Sequence, residues 1–368
     1  MSDELTSEQP VGRLETVHTF SGAMPTGVTV SRQGRIFVNF PRWGDQVPAT
    51  VAELRDGDCV PYPDQDWNTP DGDGDAGSFV SVQSVVVDPT DRLWVLDTGS
   101  PMFRPTSPGG PKLVCVDLDT DLVTRTIVFP ADVALPTSYL NDVRFDLRRR
   151  SAGVAFITDS SNSGPNGIVV VDLANGTAWR RLHDHPSTKA ETLATFRPLV
   201  EGQPFLMCPP DGPPSPVSMG SDGIAISADG SRLYYCPLAS RRLYSVSTDA
   251  LVDRAADDAE VAATVRDEGD KGSASDGLES DDAGRIYLTA YEQNAVLRRH
   301  PDGRFETLVR DPRLLWPDTM SVAADGYLYV TANQLHRQAD YSGGVDRRRR
   351  PYALFRIGLD AGPVALLP

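Results

Sequence analysis

Apolar residues along this chain come in short β-branched or aromatic runs, broken by Gly, Pro, Asp and Asn. Within each run they alternate with polar residues at the two-residue period of a strand. Helical periodicity is scarce, and its best stretch, 249–265, is rich in Ala and Asp. The pattern predicts an all-β protein. Six segments share one form: a polar head, a short alternating strand, an Asp/Gly turn, then a second strand carrying an aromatic. The first runs Thr26-Gly27-Val28-Thr29-Val30 into Gly34-Arg35-Ile36-Phe37-Val38, and the last runs Asp318-Thr319-Met320-Ser321-Val322 into Gly326-Tyr327-Leu328-Tyr329-Val330. The turns Ala228-Asp229-Gly230 and Ala324-Asp325-Gly326 are hairpin chemistry.

The first apolar residues of the six units are Val28, Val85, Val143, Ile224, Leu278 and Met320, at intervals of 57, 58, 81, 54 and 42. A four-stranded propeller blade needs about 40–50 residues, so these are blade-sized steps with loop insertions. The long step carries an inserted loop, 182–220, whose Pro-rich part, 198–216, is expected to form a flap over one face. Two strands are left over, Leu14–Phe20 and one from Tyr352 to Ile357. They are expected to share a blade and close the ring, because an open ring leaves sheet edges unpaired. The expectation is one six-bladed β-propeller over 1–368, with residues 1–12 as a flexible tail.

Charge narrows the function. The 368 residues carry a formal −16, which argues against a nucleic-acid partner, since phosphate binding needs a basic surface. No apolar run is long enough to span a bilayer, and Met1-Ser2-Asp3-Glu4-Leu5 lacks the basic end and apolar core of a signal peptide. The expectation is a cytoplasmic monomer acting on a small molecule. Cys59, Cys115, Cys208 and Cys236 are far apart and form no CxxC pair, so four free thiols are expected. Asp71-Gly72-Asp73-Gly74-Asp75 suggests calcium, but Ala76 and Val82 break the EF-hand pattern, and a solvated acidic loop is the simpler reading. His183-Asp184-His185 has no evident third ligand and reads as surface.

Longer motifs point to a family. Val82-Gln83-Ser84-Val85-Val86-Val87-Asp88-Pro89, Arg92-Leu93-Trp94-Val95-Leu96-Asp97-Thr98-Gly99, Leu140-Asn141-Asp142-Val143, Trp316-Pro317-Asp318-Thr319 and Thr331-Ala332-Asn333-Gln334-Leu335-His336-Arg337 stand in order along roughly 15–357. On them the chain resembles the major royal jelly protein/Yellow family, whose insect members include dopachrome-converting enzymes. The resemblance implies a six-bladed propeller with a ligand pocket at one mouth of its channel. It also implies small aromatic or amine ligands, and in some members tautomerase-type chemistry on indole-quinones.

The residues two before each first apolar position are Thr26, Gln83, Asn141, Asp222, Asp276 and Asp318. Six aligned blades would set them in one ring around the axis. Carboxylates that close repel, so either one acid holds its proton or a cation sits among them. Asp222, Asp276 and Asp318 are therefore the candidate catalytic residues. The bland alternative is that Asp-Gly merely caps backbone N–H groups in turns. The loops after each second strand return to the same mouth. They bring Arg42, Trp43, Tyr291, Glu292 and Asn333 as candidate substrate-binding residues beside Gln83 and Asn141. The resemblance places Asn333 where amine-binding relatives have an asparagine. His336 could reach the mouth or only end a strand.

Three functions fit. The first is an isomerase or tautomerase moving a proton on a cyclic aromatic or quinonoid metabolite, with no cofactor required. The second is a gluconolactonase-type hydrolase with an axial Ca²⁺ or other divalent cation on Asn141, Asp222 and Asp276, although no acid between Glu15 and Asp45 supplies a first-blade ligand. The third is a non-catalytic binder of amines or aromatics.

Overall fold

The computed structural model describes residues 10–191 and 196–368. Six four-stranded antiparallel sheets stand around an axis. Blades I to V begin with inner strands Val28–Val30, Val82–Val87, Leu140–Asp146, Ser221–Ile226 and Ser275–Ser280, and each continues outward through the next three strands of the chain. Blade VI runs Pro317–Val322, Tyr327–Ala332, Tyr352–Gly358 and then Leu14–Phe20, so the N-terminal strand pairs with the C-terminal one as expected.

Burial follows distance from the axis. The inner strands of blades III and IV are buried at every position, whereas the outer strand Leu122–Val128 alternates between exposed and covered. A strand packed on both faces reads as continuous apolar sequence, and a rim strand alternates. The turn from first to second strand is pinned by side chains. In blade II, Asp88 accepts from Arg92 and from the Trp94 indole at 2.8 Å each; in blade V, Asp281 accepts from Arg285 at 2.5 Å and Tyr287 at 2.6 Å. In these two blades the aromatic of the repeat is therefore structural.

The ring closes from blade VI onto blade I. The Thr331 hydroxyl donates to the Thr26 carbonyl at 2.6 Å, and Asn333 Nδ2 to the Pro25 carbonyl at 3.0 Å. One expectation changes. Of the 1–12 tail, residues 1–9 lie outside the described residues, while Val11 and Gly12 donate backbone bonds to Thr307 and Leu308 and extend the outer edge of blade V. The 249–265 stretch forms two five-residue helices, Thr248–Val252 and Asp258–Ala262, joining the last two strands of blade IV. The inserted loop contributes two small hairpins, Leu199–Val200 with Gln203–Pro204 and Leu206–Met207 with Ser215–Pro216. All four cysteines are free.

Candidate functional site

Five of the six inner strands begin with a break in register. The breaks fall between Val82 and Ser84, Leu140 and Val143, Ser221 and Ile224, Ser275 and Leu278, and Pro317 and Met320. A bulge sets two residues against one and re-aims a side chain. Here it turns Gln83, Asn141, Asp222, Asp276 and Asp318 toward one end of the channel. The glycines after Asp222 and Asp276 are needed for a different reason than turn chemistry. A Cβ at Gly223 would lie 2.4 Å from the Asp276 carbonyl, and one at Gly277 the same distance from the Asp318 carbonyl. Only glycine lets neighbouring inner strands approach this closely.

The structure brings the ring together. Asn141 Nδ2 donates to Asp222 at 2.6 Å, and the Asp222 and Asp276 carboxyls hydrogen-bond to each other. The Trp316 indole donates to Asp276 at 2.7 Å, and Asn333 Nδ2 to Asp318 at 2.5 Å. All three acids are buried. Burial is the main force raising their proton affinity. It lifts Asp276 to about 6, because the Trp316 and Asp222 hydrogen bonds only partly offset it. Asp222 stands well above the carboxylate range through burial, the Asp276 charge and the Asp318 charge. Asp318 does so through burial and Asp276. None of the three carboxylates accepts a backbone N–H among the described residues, so they do not cap turns.

Gln83 closes the ring on the far side. Its Oε1 accepts from Tyr139 at 2.9 Å, and the Tyr139 oxygen accepts from the Trp43 indole at 2.9 Å. Trp43 stacks on Phe103 at 5.2 Å, and Phe103 on Tyr139 at 4.7 Å. Thr26 is drawn off instead to Asn39, which donates to its hydroxyl at 2.8 Å. Tyr291 lies flat on Trp316, 4.1 Å between centroids and 9° apart, with its hydroxyl on the Leu238 carbonyl.

Two candidates need correction. The Arg42 guanidinium is committed to backbone: it donates to the carbonyls of Val80, Val47 and Asn68 at 2.8–3.0 Å, which leaves those N–H groups unavailable to a ligand. Glu292 is consumed by Arg241 at 2.8 Å and by the backbone N–H groups of Ala274 at 2.6 Å and Leu199 at 2.8 Å. Both hold loops in place. Sequence reasoning missed Tyr139, Phe205 and Tyr341. Phe205, from the inserted loop, packs against Trp316, the residue whose indole bonds Asp276. Its ring lies 4.8 Å from Trp316, 4.7 Å from Tyr341 and 6.3 Å from Tyr291. Tyr139 could have been found two residues before Asn141, whereas nothing in its local sequence distinguishes Phe205.

A resident cation would compete with side-chain donors for the oxygens of the ring. A divalent ion needs oxygens free of N–H donors. Here each of the three carboxylates receives a side-chain N–H, and two share a hydrogen bond. Among the described residues no cluster of three or more His, Cys, Asp or Glu has the geometry of a metal site.

The sequence pattern described as Major royal jelly protein matches residues 80–357. The chain belongs to that family. It is 28% identical to the protein Yellow of Drosophila erecta over 294 residues, 74% of this chain and 50% of the fly protein. This major royal jelly protein family member thus spans about half the length of the curated relatives it matches. Among solved structures it resembles a gluconolactonase from Xanthomonas campestris at 13% identity, with a TM-score of 0.55, covering 95% of this chain and 89% of the other. It also resembles the calcium-binding protein regucalcin from Agrobacterium tumefaciens at 14% identity, TM-score 0.56, covering 95% of both. At such identities the likeness speaks for the propeller alone.

Proposed function

We propose that this protein is a proton-transfer enzyme of the isomerase or tautomerase kind. Its substrate is a small flat cyclic molecule of aromatic or quinonoid character, bound beneath Phe205. The observation that carries the reading is the buried, hydrogen-bonded Asp222–Asp276 pair. Two carboxyls in contact share a proton, and their environments push their proton affinities apart. Near neutral pH, Asp276 is the ionised base and Asp222 the protonated acid. Asp276 takes a proton from carbon next to a carbonyl or iminium, the electron pair moves onto the oxygen or nitrogen, and Asp222 returns a proton elsewhere on the ring. The Gln83 Nε2 group, with no bond among the described residues, is the donor for the developing oxyanion. Trp316 and Tyr291 give the flat wall. Phe205 must lift for the substrate to enter.

The lactonase alternative rests on likeness of fold, and the N–H donors on all three carboxylates weigh against its cation. The test is turnover of a panel of cyclic aminoquinones followed by absorbance. Asp276→Asn should lower kcat by about 10²–10⁴-fold while ligand binding survives. kcat/KM in the unmodified protein should rise with pH through about 6. Wild-type turnover in Asp276→Asn overturns the reading, and an unmodified protein that binds amines without turnover, and loses that binding in Asp276→Asn, favours the non-catalytic amine binder.

A further inference from the structure

Beside the Phe205 hairpin lies a groove of about 320 Å³ lined by Glu201, His336, Arg337, Tyr341, Arg347 and Arg349, among others. It is a cationic spot on a chain of net charge −16. Glu201 is the acid among these basic side chains. Its carboxylate accepts from Arg337 at 2.6 and 2.8 Å and from His336 Nε2 at 2.8 Å. The Arg337 hydrogen bonds, with His336 helping against burial, hold Glu201 down at about 2. It is therefore an acceptor only, and the proton in the His336 contact belongs to the imidazole.

Three observations say that this arrangement is built for a carboxylate rather than for Glu201 alone. First, Glu201 and Gly202 form a two-residue hairpin loop with φ of +50° and +76°. Such loops favour Asn-Gly or Gly-Gly, and a long side chain at the first position is unfavourable unless something holds it. Second, the guanidinium groups of Arg347 and Arg349 are exposed and have no partner among the described residues, although their backbone N–H groups are tied to the Arg337 carbonyl and the Gln334 side chain. Third, the His336 side chain is only 8% exposed, and its Nδ1 has no partner among the described residues. The imidazole lies 5.6 Å from Trp316 and nearly parallel to it, and Trp316 in turn donates to Asp276.

We propose that this groove is a subsite for the carboxylate of an anionic aromatic ligand, and that Glu201 is its internal occupant when no ligand is bound. The ligand's carboxylate would exchange with Glu201 at Arg337 and His336, guided in by Arg347 and Arg349. Releasing Glu201 frees the hairpin that carries Phe205, so one event would dock the anion and uncover the acids. The inference rests on the proposed function only in taking this mouth as the ligand's way in.

The probe is 2-naphthoate, with neutral 2-naphthamide as control, titrated by tryptophan fluorescence and calorimetry. Naphthoate should bind more tightly than the amide, and added salt should narrow the gap. Glu201→Gln should tighten naphthoate by roughly 10-fold, the equivalent of removing one charge-assisted competitor. The double variant Arg347→Gln/Arg349→Gln, at exposed positions, should weaken naphthoate by about 3- to 10-fold and leave the amide unchanged. Equal affinity for acid and amide, or no tightening in Glu201→Gln, overturns the proposal. Asp276→Asn keeps the two readings apart. It should bind naphthoate like the unmodified protein, so a protein that binds the acid selectively but turns over no aminoquinone loses only the proton-transfer reading.

Discussion

The same mouth of this propeller holds two sets of carboxylates that the sequence writes alike and the fold uses in opposite ways. In the outer set, Asp97 takes backbone N–H groups from Val80 and Ser81 and pairs with Lys112 at 3.0 Å; both side chains are fully buried. Asp159 takes the Tyr139 N–H and the Arg180 guanidinium. Glu292 stays below the usual carboxylate range although burial alone would raise it, because Arg241 and two backbone N–H groups outweigh burial. In the inner set, Asp222, Asp276 and Asp318 have no cation and no backbone donor among the described residues, face one another, and hold their protons more tightly than an ordinary carboxyl because they are buried. Burial is common to both. Partner supply is what differs, and it separates a structural anchor from a group able to exchange a proton.

The comparison breaks most visibly at Asp97. Replacing it by Asn strands the Lys112 ammonium in the interior, where Nζ otherwise bonds the Asp75 and Gly110 carbonyls at 2.8 and 3.0 Å. Removing one partner of a buried pair costs about 3–5 kcal/mol. The urea midpoint of Asp97→Asn should fall accordingly. Asp276→Asn, the matched change in the inner set, should leave the midpoint at pH 7 level or raise it. Equal losses in both would erase the distinction.

The sequence makes the ring legible because six blades repeat one offset, so periodicity alone places Gln83, Asn141, Asp222, Asp276 and Asp318 at one level. It also makes the closure legible, because two strands were left without partners. What it hides is which polar atoms the protein itself consumes. Arg42 and Glu292 look available as exposed loop residues, yet every partner except Val47 lies 18 to 93 positions away in the chain. Phe205 is hidden for the same reason: Trp316, Tyr291 and Tyr341 come to it only when the ring has closed.

Asp276 provides a second separation, in pH. Its folded proton affinity of about 6 exceeds the ordinary 3.8. Between those values the folded protein binds more protons than the unfolded chain, so this group's contribution is complete below about pH 4 and is lost as pH rises through about 6. The size is on the order of 2–3 kcal/mol. Subtracting the Asp276→Asn unfolding curve from that of the unmodified protein across pH 4–7 should leave a falling difference. Parallel curves would mean that Asp276 is no more protonated than an exposed acid. Glu292 runs the other way, its stabilisation present at neutral pH and lost on acidification.

The smallest expected effect tests what aims the inner set. In blade V the bulge frees the N–H groups of Asp276 and Gly277, and the Thr289 hydroxyl accepts both, at 3.2 and 2.8 Å. Thr331 serves Thr319 in the same way in blade VI, at 3.2 Å. Valine keeps the shape of threonine and cannot accept a hydrogen bond. Thr289→Val therefore leaves two buried donors unpaired and should cost about 1–2 kcal/mol, whereas Thr289→Ser should cost less than half of that. Energy is the lesser part of the prediction. If the hydroxyl holds the bulge, Thr289→Val also turns the Asp276 carboxylate away from the Trp316 indole. The indole N–H resonance in the NMR spectrum should then move toward its value in Asp276→Asn. A valine variant that loses stability while the indole resonance stays in place would show that Trp316 and Asp222 aim the acid without help from the bulge.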